Sequence, residues 1–168
     1  MLSQIVRSLH VGQKILNHKL TLAKRVGNEY IVENNVDSTS IFTKKAVVVG
    51  IPGAFTPTCS LKHVPAYSEL YDKFLSKGVE VYVLSVNDAF VMKKFGEDQK
   101  TNLPLICDGS GILTKALNAG LDLTEKGLGY RARRFSFIVE NDTIKVLNDE
   151  ASGALTEVSA ANTILNQL

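Results

Sequence analysis

The stretch AVVVGIPGAFTPTC, residues 46–59, decides the fold of this chain. Its first part, Ala46 to Ile51, is an apolar run of the length and composition of a buried β-strand. From Thr58 onward, apolar side chains recur at helical spacing, which predicts a helix over residues 58–76 that ends at Lys77-Gly78. Cys59 is therefore predicted in the first turn of a helix that follows a strand.

A cysteine at the start of a helix is in a favourable place for chemistry. Unpaired backbone N–H groups and the positive end of the helix dipole favour an anion there, and the anion of a cysteine is its reactive thiolate. The alternative is a small buried core residue, as most free cysteines are. Placement favours the reactive interpretation, because Pro57 suits the start of a helix and Gly53 lets the loop approach a ligand closely.

The remaining periodicity predicts an α/β fold with a mixed sheet. A helix joins strand 46–51 to strand 79–86, and such a βαβ unit requires parallel pairing with a right-handed crossover. A hairpin of two antiparallel strands follows near the end of the chain, around Glu140-Asn-Asp. The other predicted strands are residues 19–23, 30–32, 103–106, 133–139 and 143–147. The other predicted helices are residues 36–42, 112–118 and 157–165, and a helix of about ten residues is predicted after an N-cap at Asn87-Asp88.

Length and composition limit the classes of function. The 168 residues, of which 45% are hydrophobic, predict one domain over residues 1–168. The net charge of +2 is too small to indicate a nucleic-acid partner. The longest apolar runs have the length of strands, which predicts no membrane-spanning role. The three histidines and two cysteines form no metal-type cluster, so neither a metal nor an organic cofactor is expected.

The N-terminal composition leaves two hypotheses for localisation. Cys59 and Cys107 form no disulfide framework and no secretory signal is visible, which favours a cytoplasmic protein. Residues 1–28 nevertheless contain five Lys or Arg side chains and no acid, as in a mitochondrial presequence. About ten residues at the N-terminus are therefore interpreted as a short targeting or flexible segment.

Three separated blocks of sequence resemble a known family. They are the spacing Pro52-x-x-x-Thr56-x-x-Cys59, the block VLSVNDAFVMKKF at residues 83–95, and RRFSF at residues 133–137. In this order they resemble the type II peroxiredoxins, which are thiol peroxidases. The resemblance runs from about Val11 to Leu168 and implies a thioredoxin-like fold, with helices on both sides of a mixed central sheet in three α/β/α layers.

The resemblance also implies a set of site residues. Cys59 would be the peroxidatic nucleophile and Thr56 would hold and orient the peroxide, in a pocket to which Pro52 and Gly53 contribute. The family's active-site arginine directly precedes a Phe-Ser pair, which here singles out Arg134. Strand alternation alone does not choose among the arginines of RARRFSF. It only predicts that Arg131 and Arg133 face one way and Arg134 the other.

The sequence departs from the two-cysteine pattern of the family, which predicts a one-cysteine enzyme. Many members carry a second, resolving cysteine, but the corresponding positions here are Leu84 and Glu157. Cys107 is interpreted as a buried core residue. The expected substrates are hydrogen peroxide and alkyl hydroperoxides, the expected reductant is glutathione with glutaredoxin or thioredoxin, and the expected assembly is a homodimer with Phe55 and Phe90 as candidate contacts.

Two other functions are consistent with the same cysteine. His63 follows Cys59 by four residues and lies on the same helical face, so a cysteine hydrolase with a Cys–His dyad is one alternative. A peroxide-sensing redox switch or chaperone-like protein, in which oxidation of Cys59 changes an interface, is the other.

Overall fold

The computed structural model describes residues 8–168, which form nine strands and six α-helices. The strands are β1 (Lys19–Val26), β2 (Glu29–Asp37), β3 (Ala46–Gly50), β4 (Glu80–Ser85), β5 (Leu105–Cys107), β6 (Gly120–Leu123), β7 (Gly129–Ala132), β8 (Phe135–Glu140) and β9 (Thr143–Asp149). The helices are α1 (Thr39–Phe42), α2 (Val64–Glu69), α3 (Tyr71–Ser76), α4 (Ala89–Gln99), α5 (Ile112–Ala116) and α6 (Ala161–Leu165). A π-helical turn, Cys59–His63, directly precedes α2, and a 3₁₀ turn, Thr124–Lys126, joins β6 to β7.

Seven strands form the central sheet in the order β2-β1-β5-β4-β3-β8-β9. Strands β3, β4 and β5 are parallel to one another, whereas β8 and β1 join them in antiparallel pairing on either side. This confirms the predicted mixed sheet and its βαβ unit. The carboxyl ends of the three parallel strands meet at one edge, and the loop that leads to Cys59 leaves β3 there.

Helices cover both faces of this sheet. Val47 and Val49 of β3 belong to a core cluster with side chains of α2, α3, α4 and α6. Val48, which points to the opposite face, belongs to a second cluster with side chains of α1 and α5. The three-layer α/β/α architecture expected from the family resemblance is thereby confirmed.

The predicted helix over residues 58–76 is interrupted. The N–H of Val64 donates to the carbonyl of Cys59, five residues back, and α2 follows with Pro65 in its first turn. Proline has no N–H for an i to i−4 bond, and its ring collides with the preceding turn, so regular α-helix cannot run through this point from Cys59. A second interruption at Leu70 separates α2 from α3.

Other predictions were incomplete. The helix expected at residues 36–42 begins only at Thr39, because β2 extends to Asp37. The ribbon of β6 and β7, a separate two-stranded sheet, was not predicted. The strand expected at residues 133–139 begins only at Phe135, and the helix expected at 157–165 begins only at Ala161. Ser159 donates its N–H and hydroxyl to Glu150, and these bonds hold the preceding residues outside the helix.

The hypothesis of a targeting segment rests mainly on residues 1–7, which lie outside the described residues. Within residues 8–168, no helix is long and apolar enough to cross a membrane.

Candidate active site

The loop from Pro52 to Thr56 is tied to the end of the neighbouring strand. The N–H of Ala54 donates to Asn87 Oδ1 at 3.0 Å, and Ser85, the last residue of β4, donates its hydroxyl to the same oxygen. Within the loop, Thr56 Oγ1 donates to the carbonyl of Gly53 at 2.8 Å. A Cβ at Gly53 would lie 3.2 Å from Thr56 Cγ2, so a side chain at this position would press against Thr56.

Cys59 lies in the first helical turn, as predicted, and is fully buried. The N–H of Ser60 donates to the carbonyl of Thr56, so helical hydrogen bonding has already begun at this point. Arg134 Nη2 donates to Cys59 Sγ at 3.2 Å. Chain segments 75 residues apart thus bring together the cysteine and the arginine that the family resemblance singled out.

Arg134 is the largest fully buried side chain in the described part of the protein. Besides Cys59, its guanidinium donates through Nε to the carbonyl of Gly153 at 3.1 Å and through Nη1 to His63 Nδ1 at 2.8 Å. Among residues 8–168, no carboxylate lies within 4.0 Å of it. A buried charge without a counter-charge is costly. A thiolate at Cys59 would supply the compensating negative charge.

His63 serves Arg134 and is not a base for Cys59. Burial, together with the nearby charge of Arg134, lowers the pKa of His63 to about 4, so the ring is neutral. Because a guanidinium can only donate, Nδ1 accepts from Arg134, and Nε2 therefore carries the proton and donates to the carbonyl of Ser159 at 3.0 Å. With its one free lone pair in use, His63 does not form the Cys–His dyad of the hydrolase alternative.

The predicted orientations of the three arginines were derived from a strand that is not continuous. Arg131 is on β7, Arg133 and Arg134 lie between strands, and β8 begins at Phe135, so a single alternation cannot apply. Arg133 forms a salt bridge with Asp149 at 2.7 Å and donates to the carbonyl of Asn118. Arg131 donates to the carbonyl of Leu128. Its guanidinium lies close to the Cα of Gly53, since a Cβ there would be 3.0 Å from Arg131 Nη1.

A cleft of about 570 Å³ is lined by residues that flank Cys59, although neither Cys59 nor Gly53 is part of its wall. Pro52, Thr56 and Arg134 line it. The hydroxyl of Thr56 makes no hydrogen bond to Cys59, but after donating to Gly53 it still has lone pairs that can accept from a ligand. The ribbon of β6 and β7 and its connection add Leu121, Leu123 and Leu128 to the wall. The alternation in GLDL and GYRA around the turn at Gly127 was the signal in the sequence for this ribbon.

Cys107 is chemically different from Cys59. It lies at the end of β5 with 7% exposure, and its thiol is free. Burial, reinforced by the charge of Asp88, raises the pKa of Cys107 to about 12. The positions where relatives carry a resolving cysteine hold a fully buried Leu84 and an exposed Glu157.

Comparisons with known proteins agree with this arrangement. A sequence model of the Redoxin family matches residues 19–165. Peroxiredoxin-2B of Arabidopsis thaliana is 47% identical over 128 residues, which cover 74% of this chain and 78% of that protein. The crystal structure of reduced Prx3 in complex with H₂O₂ from Vibrio vulnificus is 37% identical, with a TM-score of 0.81 over 94% of each chain. The antioxidant protein (1-Cys peroxiredoxin) of Plasmodium falciparum is 27% identical, with a TM-score of 0.80 over 93% of this chain and 97% of that one. This chain therefore belongs to the redoxin family and, within it, to the type II peroxiredoxins, so it is a thiol-dependent peroxidase of thioredoxin-like fold.

Proposed function

We propose that Cys59 is the peroxidatic nucleophile and that it completes its cycle with an external thiol instead of a second cysteine of the same chain. The hydrogen bond from Arg134 Nη2 to Cys59 Sγ is the observation that supports this most directly. This bond brings a permanent positive charge to Cys59. Cys107 has no such contact, and burial raises the pKa of its thiol.

In the first step, the thiolate of Cys59 attacks the nearer oxygen of a hydroperoxide. The S–O bond forms as the O–O bond breaks, so sulfur is oxidised to a sulfenic acid and the peroxide is reduced. The leaving oxygen takes a proton from solvent and departs as water or an alcohol. Negative charge develops on that oxygen during the step, and donors aimed at it stabilise the transition state more than the ground state.

The surrounding residues have separate roles in this proposal. Arg134 donates to sulfur and to the leaving oxygen, while the hydroxyl of Thr56 accepts from the peroxide and orients it. Pro52 and Gly53 shape the loop that carries Thr56 to the wall of the cleft. The complex of the Vibrio relative with H₂O₂ supports hydrogen peroxide as one substrate. The apolar side chains of the cleft are suited to the organic part of an alkyl hydroperoxide.

In the second step, an external thiol reduces the sulfenic acid. The thiol forms a disulfide with Cys59 and water leaves, and a second thiol then attacks the mixed disulfide and restores Cys59. The reductants we propose are glutathione with glutaredoxin, or thioredoxin. The one-cysteine relative from Plasmodium falciparum supports a cycle without a resolving cysteine.

We further propose a homodimer that pairs through the active-site loops. Phe90 at the start of α4 is 85% exposed, and Phe55 of the loop is 49% exposed while its ring packs edge-on against Phe95 of the same helix. Two aromatic side chains are thus presented near one helix, and such residues are enriched in protein interfaces. Cytoplasmic localisation is kept as a proposal, with mitochondrial localisation as the alternative.

A peroxide-consumption assay tests the proposed function. The protein is supplied in turn with glutathione plus glutaredoxin, thioredoxin, and dithiothreitol. Cys59→Ser should abolish turnover, because a hydroxyl is not ionised near neutral pH and cannot replace the thiolate. The matched variant Cys107→Ser should retain most of the activity.

Two outcomes would contradict the proposal. Loss of turnover in Cys107→Ser with unchanged stability would make Cys107 part of the cycle. Consumption of a single equivalent of peroxide with no turnover under any thiol would favour the redox switch.

A further inference from the structure

Arg134 and His63 donate hydrogen bonds to backbone carbonyl oxygens of one C-terminal segment, residues 150–159. The carbonyl of Gly153 accepts from Arg134 Nε at 3.1 Å, and the carbonyl of Ser159 accepts from His63 Nε2 at 3.0 Å. His63 in turn accepts from Arg134 Nη1. Two of the three hydrogen bonds that orient the guanidinium therefore depend, directly or through His63, on where this segment places its carbonyl oxygens.

Glu150 folds the segment into this position. Its Oε1 accepts from the N–H of Thr156 at 3.0 Å, from the N–H of Ser159 at 3.0 Å and from the hydroxyl of Ser159 at 2.8 Å. Its Oε2 accepts from the hydroxyl of Thr156 at 2.8 Å. Partial burial acts to raise the pKa of Glu150, but these hydrogen bonds outweigh it and the pKa is lowered. The carboxylate thus joins the beginning of the segment to its end.

The backbone of Glu150 is fixed to Arg134 as well. The N–H of Glu150 donates to the carbonyl of Arg134 at 3.1 Å, and the N–H of Arg134 donates to the carbonyl of Ser152 at 2.8 Å. A short series of bonds therefore leads from the Glu150 carboxylate through Ser159 and His63 to the guanidinium that contacts Cys59. Every link is a hydrogen bond between described groups, and the side-chain links from His63 to Cys59 are buried.

We propose that Glu150 is a positioning residue for the peroxidase reaction: by folding residues 150–159 it fixes the carbonyl oxygens of Gly153 and Ser159, and through them the guanidinium of Arg134 at the sulfur of Cys59. Glu150 itself does not touch the reacting atoms. The inference rests on the proposed role of Cys59 as the nucleophile. Glu150 affects the rate through geometry, because the guanidinium of Arg134 must already point to the place where negative charge develops.

The test compares Glu150→Ala with a conservative variant and a matched control. In Glu150→Gln, the side-chain carbonyl can still accept from both donors of Ser159. Glu157→Ala removes an exposed acid of the same segment whose side chain makes no hydrogen bond in the described part of the protein. The quantity measured is the second-order rate constant for oxidation of Cys59 by hydrogen peroxide in rapid mixing.

We expect Glu150→Ala to slow this oxidation by at least about tenfold. Glu150→Gln should stay within about threefold of the wild type, and Glu157→Ala should not differ from it. Ser159→Ala, which removes one donor to Glu150 and keeps the Ser159 carbonyl, should cost about threefold. It decides the question if Glu150→Ala does not fold. Unchanged oxidation in Ser159→Ala and in a folded Glu150→Ala would overturn the proposal.

A double-mutant cycle separates positioning from a general loss of structure. If Glu150 acts through Arg134, Glu150→Ala should have little further effect in a chain that already carries Arg134→Ala. An effect of equal size in both backgrounds would mean that Glu150 does not act through Arg134. Cys59→Ser is run beside these variants, because activity of that protein would refute the proposed nucleophile, whereas the Glu150 results concern only its positioning.

Discussion

At the scale of single residues, the site depends on one buried positive charge. Arg134 has no carboxylate partner among the described residues, so its guanidinium is free to interact with sulfur and with a developing oxyanion. Arg133, the adjacent residue, is held by Asp149 and has a structural role. Arg134, which the family resemblance singled out, is the one of these two that contacts Cys59, although the strand alternation used beside it did not apply.

The ionisation of His63 gives a testable dependence of stability on pH. Burial, and then the charge of Arg134, lowers the pKa of His63 from 6.5 to about 4 in the folded protein. Between these pH values the unfolded chain binds a proton that the folded chain does not, so the free energy of unfolding decreases as the pH falls. The contribution of this one residue is up to about 3 kcal/mol.

We expect His63→Gln to remove this part of the pH dependence. The amide can accept from Arg134 and donate to Ser159, but it does not titrate. Urea unfolding between pH 4 and pH 7 should show the wild type losing stability faster than the variant as the pH falls. Two parallel curves would show that His63 is not held neutral by the fold.

At the scale of secondary structure, the elements with a clear local signal were predicted well. Helix α4 begins where expected, because Asp88 Oδ1 accepts from the N–H groups of Phe90 and Val91 as an N-cap. The elements whose bounds depend on distant partners were predicted less well. The start of α6 is set by Glu150, nine residues before Ser159, and apolar periodicity carries no information about such a bond. The interruption after Cys59 did have a visible signal in Pro65.

Gly50, the last residue of β3, and Gly53 of the following loop should respond differently to the same substitution. A Cβ at Gly50 would lie 2.3 Å from the ring of Phe135, which is fully buried and cannot move aside. Gly50→Ala should therefore lower the free energy of unfolding by about 1–3 kcal/mol. A Cβ at Gly53 would meet the flexible end of Arg131 at 3.0 Å and Thr56 at 3.2 Å. Gly53→Ala should cost little stability but reduce peroxidase activity, because Thr56 is displaced.

Thermal unfolding and the peroxide assay, run on both proteins, check this difference. Each variant is the control for the other, since each adds one methyl group and the two positions are only three residues apart. A larger loss of stability in Gly53→Ala than in Gly50→Ala would contradict the assignment of these two contacts.

At the scale of the whole molecule, the sheet order keeps the two cysteines apart. Cys59 and Cys107 belong to the same core cluster, but β4 lies between β3, which leads to Cys59, and β5, which carries Cys107. Two strand spacings amount to about 10 Å. A disulfide needs Cα atoms within about 7 Å of each other, which is less than the separation of β3 from β5. Both thiols are free in the structure.

The residues proposed to take part in the reaction could be named from the sequence, whereas the residues that hold them in place could not. The spacing from Pro52 to Cys59 is local, and Arg134 was found through its neighbours Phe135 and Ser136. The support from Glu150 and Ser159 is formed by single hydrogen bonds across a loop, and these leave no periodic trace in the sequence. The spacing of His63 from Cys59 places both on one helical face, but it does not reveal the hydrogen bonds of His63 to Arg134 and Ser159.

The absence of a nearby partner thiol leads to the last prediction. One equivalent of peroxide should convert Cys59 to a sulfenic acid that persists or oxidises further, and no intramolecular disulfide should accumulate. Intact-mass analysis should show a gain of one oxygen. Glutathione added next should give an adduct on Cys59, more slowly than on an exposed sulfur, because Cys59 is fully buried and the helix start must open to admit the thiol. A loss of two hydrogens, with Cys59 and Cys107 in one linked peptide, would refute the one-cysteine cycle.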